Sequence, residues 1–494
     1  MTAPTRVHFQ DEQRRHRRTG ALSAALVVVV LAVSGIPLSV VISPFLLAAA
    51  AVPVYLADLV LDVPAEVTGW LDRVFHLLPI TWSAIRRPDV SLPWDLLVGL
   101  FVLPGLVAML LLWALVRLIF RRAGVGGVLR RLKTRPPDPD DLAERRVANM
   151  IEEVAVAAGV PPPRVLLVDA KAANVGAAGL TMADATVVVT RGFATRLPRD
   201  AQQAVVAHVM ASVGNGDLTL AAEILTLLQT WGLVSLLLEG PLVGTARDYL
   251  RRVGHTAREE LRGGADASSR ELAVDTLLAG ADFERVDSDE FEALPNLHPL
   301  VALFGYGPVL MTVGPAAIAG KGIIWLTVLL VSPFVSLLWR IRRKLADATA
   351  VELTRQPDAL AGAYRKLAGM NVKVPGAVAV HWLFPVWDPK VDRDQTRKEV
   401  TTGLMHMHLP LEPRLRRLER LGASAGGKPL KQADPGYTWR EVAAGAGWLG
   451  VGAVILGGVM VLTAAGAGVV LYFLGWLLDR VLVVFPGWVA GLVG

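Results

Sequence analysis

The sequence predicts a predominantly α-helical membrane protein with a small α+β domain on the cytoplasmic side, and three observations carry this. Of the 494 residues, 53% are hydrophobic and 19% charged, with a mean hydropathy of +0.47. That is more apolar than ordinary soluble domains. The apolar residues gather into blocks that reach the roughly 20 residues a helix needs to cross a bilayer. Basic residues cluster at the ends of these blocks, as cytoplasmic flanks do. The net charge of +6 belongs to those flanks. With no basic-aromatic module in view, nucleic acid is excluded as a partner and the lipid bilayer is implied. The chain has no cysteine, which rules out disulfides, thiolate metal sites and thiol nucleophiles.

The N-terminal membrane region covers 1–135. Arg6, Arg14, Arg15, Arg17 and Arg18 precede the apolar block 21–57, which is too long for a signal peptide and lacks a clear cleavage site. It reads as a retained signal anchor, kinked at Pro37 and Pro44. A second span, about 96–120, runs into Arg117, Arg121, Arg122, Arg130, Arg131, Lys133 and Arg135. The positive-inside rule places that end in the cytoplasm, giving a multi-pass protein of the cell membrane with its globular part inside.

"TRPPDPDD" at 134–141 is a Pro/Asp linker. The first half of the globular domain, 136–218, follows. "LAERRVANMIEEVAVAAGV" has helical periodicity, while "PPPRVLLVDA" and "DATVVVTRGF" read as short strands. "RDAQQAVVAHVMASVG" reads as a helix, with Asp200 and Gln203 spaced as a capping box. Residues 219–340 hold membrane segments around a polar insertion at about 244–298, whose acidic balance favours the non-cytoplasmic side. Lys321 interrupts the block 299–340, and the span 323–340 ends in "RIRRK". The second half of the domain, 341–427, is helical and broken at Pro357. Residues 428–494 form a linker and a Gly-rich transmembrane tail, whose small residues permit close helix contact.

The informative stretch is "AVVAHVMASVGNGDLTL", 204–220. In a helical His-Glu-x-x-His motif two imidazoles one turn apart hold a zinc ion, and the Glu acts as general base on the bound water. Here His208 stands at the first ligand position, but Val209 replaces the base and Ser212 the second ligand. Valine has no ionisable proton, and a neutral hydroxyl is not a usual zinc donor.

The surroundings resemble the integral-membrane zinc metallopeptidases of the HtpX and CAAX prenyl-protease type. "HVMASVGNGD" is similar to that family's "HExxHxxNxD" helix outside the chemical positions. "AANVGAAG" resembles its cleft-edge segment, "RRKLADATAVELTRQPDAL" the helix supplying its third ligand, and "HMHLPLEPRLRRLERLG" its closing motif. The resemblance covers roughly 96–422. It implies a zincin-like fold for the cytoplasmic domain, with transmembrane helices before, within and after it. It also implies a peptide cleft edged by Asn174, Ala177 and Gly179, a third-ligand position at Arg343, an orienting carboxylate at Asp347 and a late histidine at His408. A guanidinium cannot ligate a metal and sets a fixed charge where a dication would sit.

His208, Val209, Ser212, Arg343, Asp347 and His408 therefore form the outline of a site with no catalytic role expected. No metal and no cofactor are expected, with zinc entering only if the ligands have moved. Without zinc, Asp347 is expected to pair with Arg343 at i,i+4 or with His208. Other chemistry is thinly supported: His406 and His408, with His381 or Asp217, as a displaced metal site; Ser212 beside His208 as a nucleophile, without an elbow around it; and Lys321 as an intramembrane functional group. The sequence reads as a membrane pseudopeptidase, allied to proteolysis and protein quality control, that binds a membrane-protein or peptide segment. The alternatives are an active zinc endopeptidase with relocated ligands and, more remotely, a transport or lipid-handling protein.

Overall fold

The computed structural model describes residues 63–86, 94–123, 132–240, 244–263, 337–370 and 411–424, with scattered residues elsewhere. The first apolar block, most of 264–336, the stretch 371–410 with His381, His406 and His408, and nearly all of the C-terminal tail lie outside the described residues. So does Lys321.

A 30-residue helical stretch, Trp94–Ala123, is long and apolar enough to cross a membrane. Within it the helix Leu103–Ala123 carries Arg121 and Arg122 in its last turn, where cations complement the C-terminal end of the helix dipole. The segment after it is more than a linker. The backbone of Arg135 exchanges hydrogen bonds with Leu167 in both directions, at 2.9 and 2.7 Å. Its guanidinium forks onto Glu144, at 2.8 and 2.6 Å, and onto Asp169, at 2.8 and 2.7 Å. Two carboxylates on one guanidinium fix the entry to the globular domain.

That domain opens with the helix Leu142–Ala157, capped by the Asp141 carboxylate, which accepts from the amides of Ala143 and Glu144. A three-stranded sheet follows: β1 (Arg164–Val168), β2 (Val175–Ala178) and β3 (Thr186–Thr190), in the order β1-β3-β2. β1 is parallel to β3 and β2 antiparallel to it. "TVVVT" is a continuous β-branched run because β3 is central and both its faces are covered. Val187 and Val189 face one core, with the helices Leu142–Ala157, Arg199–Gly214, Pro357–Ala368 and Leu411–Arg420. Val188 faces a second core, formed with Val116, Ile119 and Phe120 of the membrane-candidate helix and Leu233 and Val253 beyond. The sheet thus docks the domain directly onto the basic end of that helix.

One sequence expectation changes. The helix Arg199–Gly214 starts after Pro198 with no side-chain cap, so Asp200 lies inside its first turn rather than capping it. Pro198 stands at the cap position with its φ fixed near −70° and has no side-chain acceptor to offer. The insertion opens with a helix that packs back on the membrane-candidate helix. The helix Gly244–Leu261 packs against Asp217–Glu239 and Leu103–Ala123, and Glu260 pairs with Arg122. That is the basic end of the membrane-candidate helix. This first helix of the insertion carries four arginines against three carboxylates.

Candidate functional site

His208 sits in the middle of the helix Arg199–Gly214, the most enclosed helix of the domain. Val205, Val206 and Ala207 are all inaccessible, and His208 itself is 0% exposed. Burial all round explains why this helix lacks a marked apolar stripe. The second site helix, described over 337–354, carries Arg342, Arg343 and Asp347.

The imidazole Nδ1 of His208 lies 2.9 Å from Asp347 Oδ1, though off the line a well-directed ring hydrogen bond would take. Its Nε2 has no hydrogen-bond partner. Tyr364, from the next helix, sets its ring edge-on to the imidazole at a centroid distance of 6.3 Å. Burial lowers the His208 pKa, opposed by Asp347 and reinforced by Arg414 and Arg343, so the ring is neutral near pH 7. Asp347 is the hub. Arg414 donates from Nε at 2.9 Å and from Nη2 at 2.6 Å, and the Tyr364 hydroxyl donates at 2.6 Å. Burial pushes Asp347 up, but Arg414 and His208 together hold it well below the ordinary carboxylate range.

The expected Arg343–Asp347 pair does not form; the expected approach of Asp347 to His208 does. The guanidinium on Asp347 comes instead from Arg414, on the closing helix Leu411–Arg420, 67 positions away in sequence. Arg414 and Tyr364 were missed by sequence reasoning. Arg414 lies inside the quoted closing motif, which marked its neighbourhood but gave no partner.

Ser212 is not a nucleophile activated by His208. Its hydroxyl donates to Asp217, which also accepts from Arg342, while Arg342 reaches the Asn215 carbonyl as well. This cluster bolts the two site helices together at the turn through Gly216, whose φ of 82° suits glycine. Val209, Ser212 and Arg343 line a cleft of about 20 Å³ together with Val175, Gly176 and Ala177 of β2. Of the expected cleft-edge residues, Ala177 lines this space. Asn174 turns inward, its side-chain oxygen accepting from the Val175 amide at 2.9 Å. Gly179 packs against Ala185 and Leu218. β2 has no second strand partner among the described residues, yet all four of its residues are buried, so it does not present an open edge.

Peptidase family M48 matches residues 141–258, which contain His208, the sheet and the first site helix. The chain is 24% identical over 277 residues to a protease HtpX homolog of Listeria monocytogenes, covering 55% of this chain and 72% of that relative. It is 27% identical over the same length and shares to a protease HtpX homolog of Limosilactobacillus fermentum. To that of Lactobacillus acidophilus it is 25% identical over 276 residues, again 55% and 72%. No solved structure matches the chain.

These relatives overturn one expectation. Peptidase family M48 and its HtpX members are zinc metallopeptidases, so the comparisons point to a zinc cofactor where the sequence reading expected none. His208 is turned as a ligand imidazole would be, with Nδ1 toward a carboxylate and Nε2 open. The rest of the donor set does not fit. Ser212 is held by Asp217, Arg343 offers a cation, and no group of three His, Cys, Asp or Glu able to hold a metal occurs among the described residues. The mismatch came from chemistry at three positions, whereas the similarity rests on the ordered frame around them. By that frame, the chain is similar to the protease HtpX homologs and carries a segment that matches peptidase family M48.

Proposed function

We propose that this membrane metallopeptidase-like protein binds a peptide or protein segment at the cleft between its two site helices without hydrolysing it there. The observation that carries this is the chemistry of the cleft wall. Where a general base and an acidic ligand would stand, Val209 and Arg343 line the space. A valine cannot take a proton from water, and a guanidinium repels a dication by several kcal/mol at about 4 Å and intermediate dielectric. The supporting frame is intact: Asp347 is fully satisfied and the helix around His208 is closely packed. A shaped cleft without its base suits binding or scaffolding within a membrane complex. We assign the domain to the cytoplasmic side of a multi-pass protein, on the basic run at the end of the Leu103–Ala123 helix.

The test uses the purified full-length protein, zinc-supplemented, with an unfolded protein substrate. No cleavage is expected from the wild type. Val209→Glu, Ser212→His and Arg343→Glu together should create zinc-dependent cleavage, since they supply the base and both missing donors. Wild-type cleavage abolished by His208→Ala would overturn the reading.

A second reading has one observation in its favour. The open, buried Nε2 of His208 beside a satisfied carboxylate is what a ligand imidazole looks like. An active zinc endopeptidase would then draw other donors from His381, His406 or His408, outside the described residues. Loss of wild-type cleavage in His408→Ala would select it.

A further inference from the structure

One charge in the cleft has no counter-charge among the described residues. Arg343 is 8% exposed, and its buried Nε makes no hydrogen bond. Among the described residues no carboxylate lies within ion-pair distance of it; its nearest aromatic neighbour is Trp339, with the guanidinium carbon 5.9 Å from the ring centre. The carboxylates close enough to act on it, Asp217 and Asp347, are already committed. Asp217 accepts from Ser212 and Arg342, and Asp347 accepts from Tyr364 and Arg414. Arg342 cancels Asp217, so the wall of the cleft keeps one net positive charge, at Arg343.

An unpaired guanidinium in such a place is costly, and an anion seated against it removes the cost. The planar fork of Arg matches a carboxylate with two parallel hydrogen bonds. The space beside the guanidinium is narrow, about 20 Å³, and the cleft is open to one side. A group at the end of a chain, with a single covalent arm, suits such a space better than a mid-chain phosphodiester with two. Even with walls as small as Gly176, Ala177 and Ala221 the space stays narrow, so the residues just before the carboxylate must be small.

We propose that Arg343 makes this cleft a receptor for the free C-terminal carboxylate of a peptide ending in small residues. The inference rests on the reading that the cleft binds without cutting. It needs no main-chain pairing with the buried strand β2. The chain end enters the cleft, and its carboxylate takes the counter-ion position at Arg343.

The experiment uses full-length protein in phosphatidylcholine nanodiscs and a fluorescein-labelled pentapeptide ending in Val-Ala-Ala, as free acid and as C-terminal amide, read by anisotropy. The free acid should bind at least about tenfold more tightly, as a charge-assisted fork predicts. Arg343→Met should abolish the difference and Arg343→Lys should keep part of it, with thermal unfolding confirming that both variants are folded. Equal binding of acid and amide, or no binding of either, overturns the inference. Cleavage of the probe overturns the reading beneath it instead. Loss of the acid preference in phosphatidylglycerol nanodiscs assigns the charge to a lipid headgroup and also overturns the peptide assignment.

Discussion

Replacing Arg343 with methionine should stabilise the ligand-free protein. The structure gives the terms. At 8% exposure the guanidinium has lost nearly all its water, and no described group returns a hydrogen bond or ion pair. Burial pushes its pKa down, with Asp217 opposing, but arginine stays protonated, so the cost falls on stability. Uncompensated buried charges of this kind cost about 3–5 kcal/mol. The face of Trp339 returns about 0.5–1 kcal/mol. Methionine keeps most of the apolar stem in place. The net gain is about 2–4 kcal/mol, or roughly 5–12 °C in Tm for a cooperative unit of this domain's size. Thermal unfolding of wild type and variant in the same detergent, without peptide, reads it directly. An unchanged or lower Tm would refute the argument, because the charge would then be compensated. The same substitution should remove any stabilisation by a carboxylate peptide, since ligand binding adds to the native state alone.

The Asp347 hub should behave oppositely. Asp347→Asn leaves Arg414 buried without a full charge partner and should cost about 3–5 kcal/mol, against about 1–3 for Tyr364→Phe, which removes the hydroxyl's two hydrogen bonds, to Asp347 and from Arg414; equilibrium unfolding of both variants checks the ratio. Gly192→Ala should cost about 1–3 kcal/mol or prevent folding, because the added Cβ would collide with the backbone carbonyls of Lys171 and Ala172, which cannot yield as a side chain could. The pH dependence follows from two lowered pKa values. The folded pKa of His208 lies below 6.5, so as pH falls below that value the unfolded chain binds a proton the native state refuses, and stability drops. Asp347 adds a second loss at lower pH, through the ordinary carboxylate range, where the unfolded carboxylate protonates first. His208→Gln should flatten the first loss and leave the second, as Tm measured against pH would show. An equal first loss in that variant would assign it to another group.

Much of this protein was legible in the sequence for a physical reason: local signals report local structure. Strands β1 and β3 announced themselves as short β-branched runs between proline and turn signals, and the break before Pro357 followed from proline's fixed φ. Val209, Ser212 and Arg343 could be located by residue type at fixed helical spacing, and all three line one cleft. The start of the helix Arg199–Gly214 was less legible: the capping-box spacing of Asp200 and Gln203 falls inside the helix, whose cap position is Pro198. What only the tertiary structure decided was which charges meet. The sequence set Asp347 and Arg343 one helical turn apart and made them natural partners. The fold instead brought Arg414 from 67 positions away onto Asp347 and gave Asp217 to Arg342. Once those pairs closed, Arg343 was the cation left facing the cleft. Pairing in a core is settled by long-range geometry and desolvation, neither of which is written in the spacing along a helix.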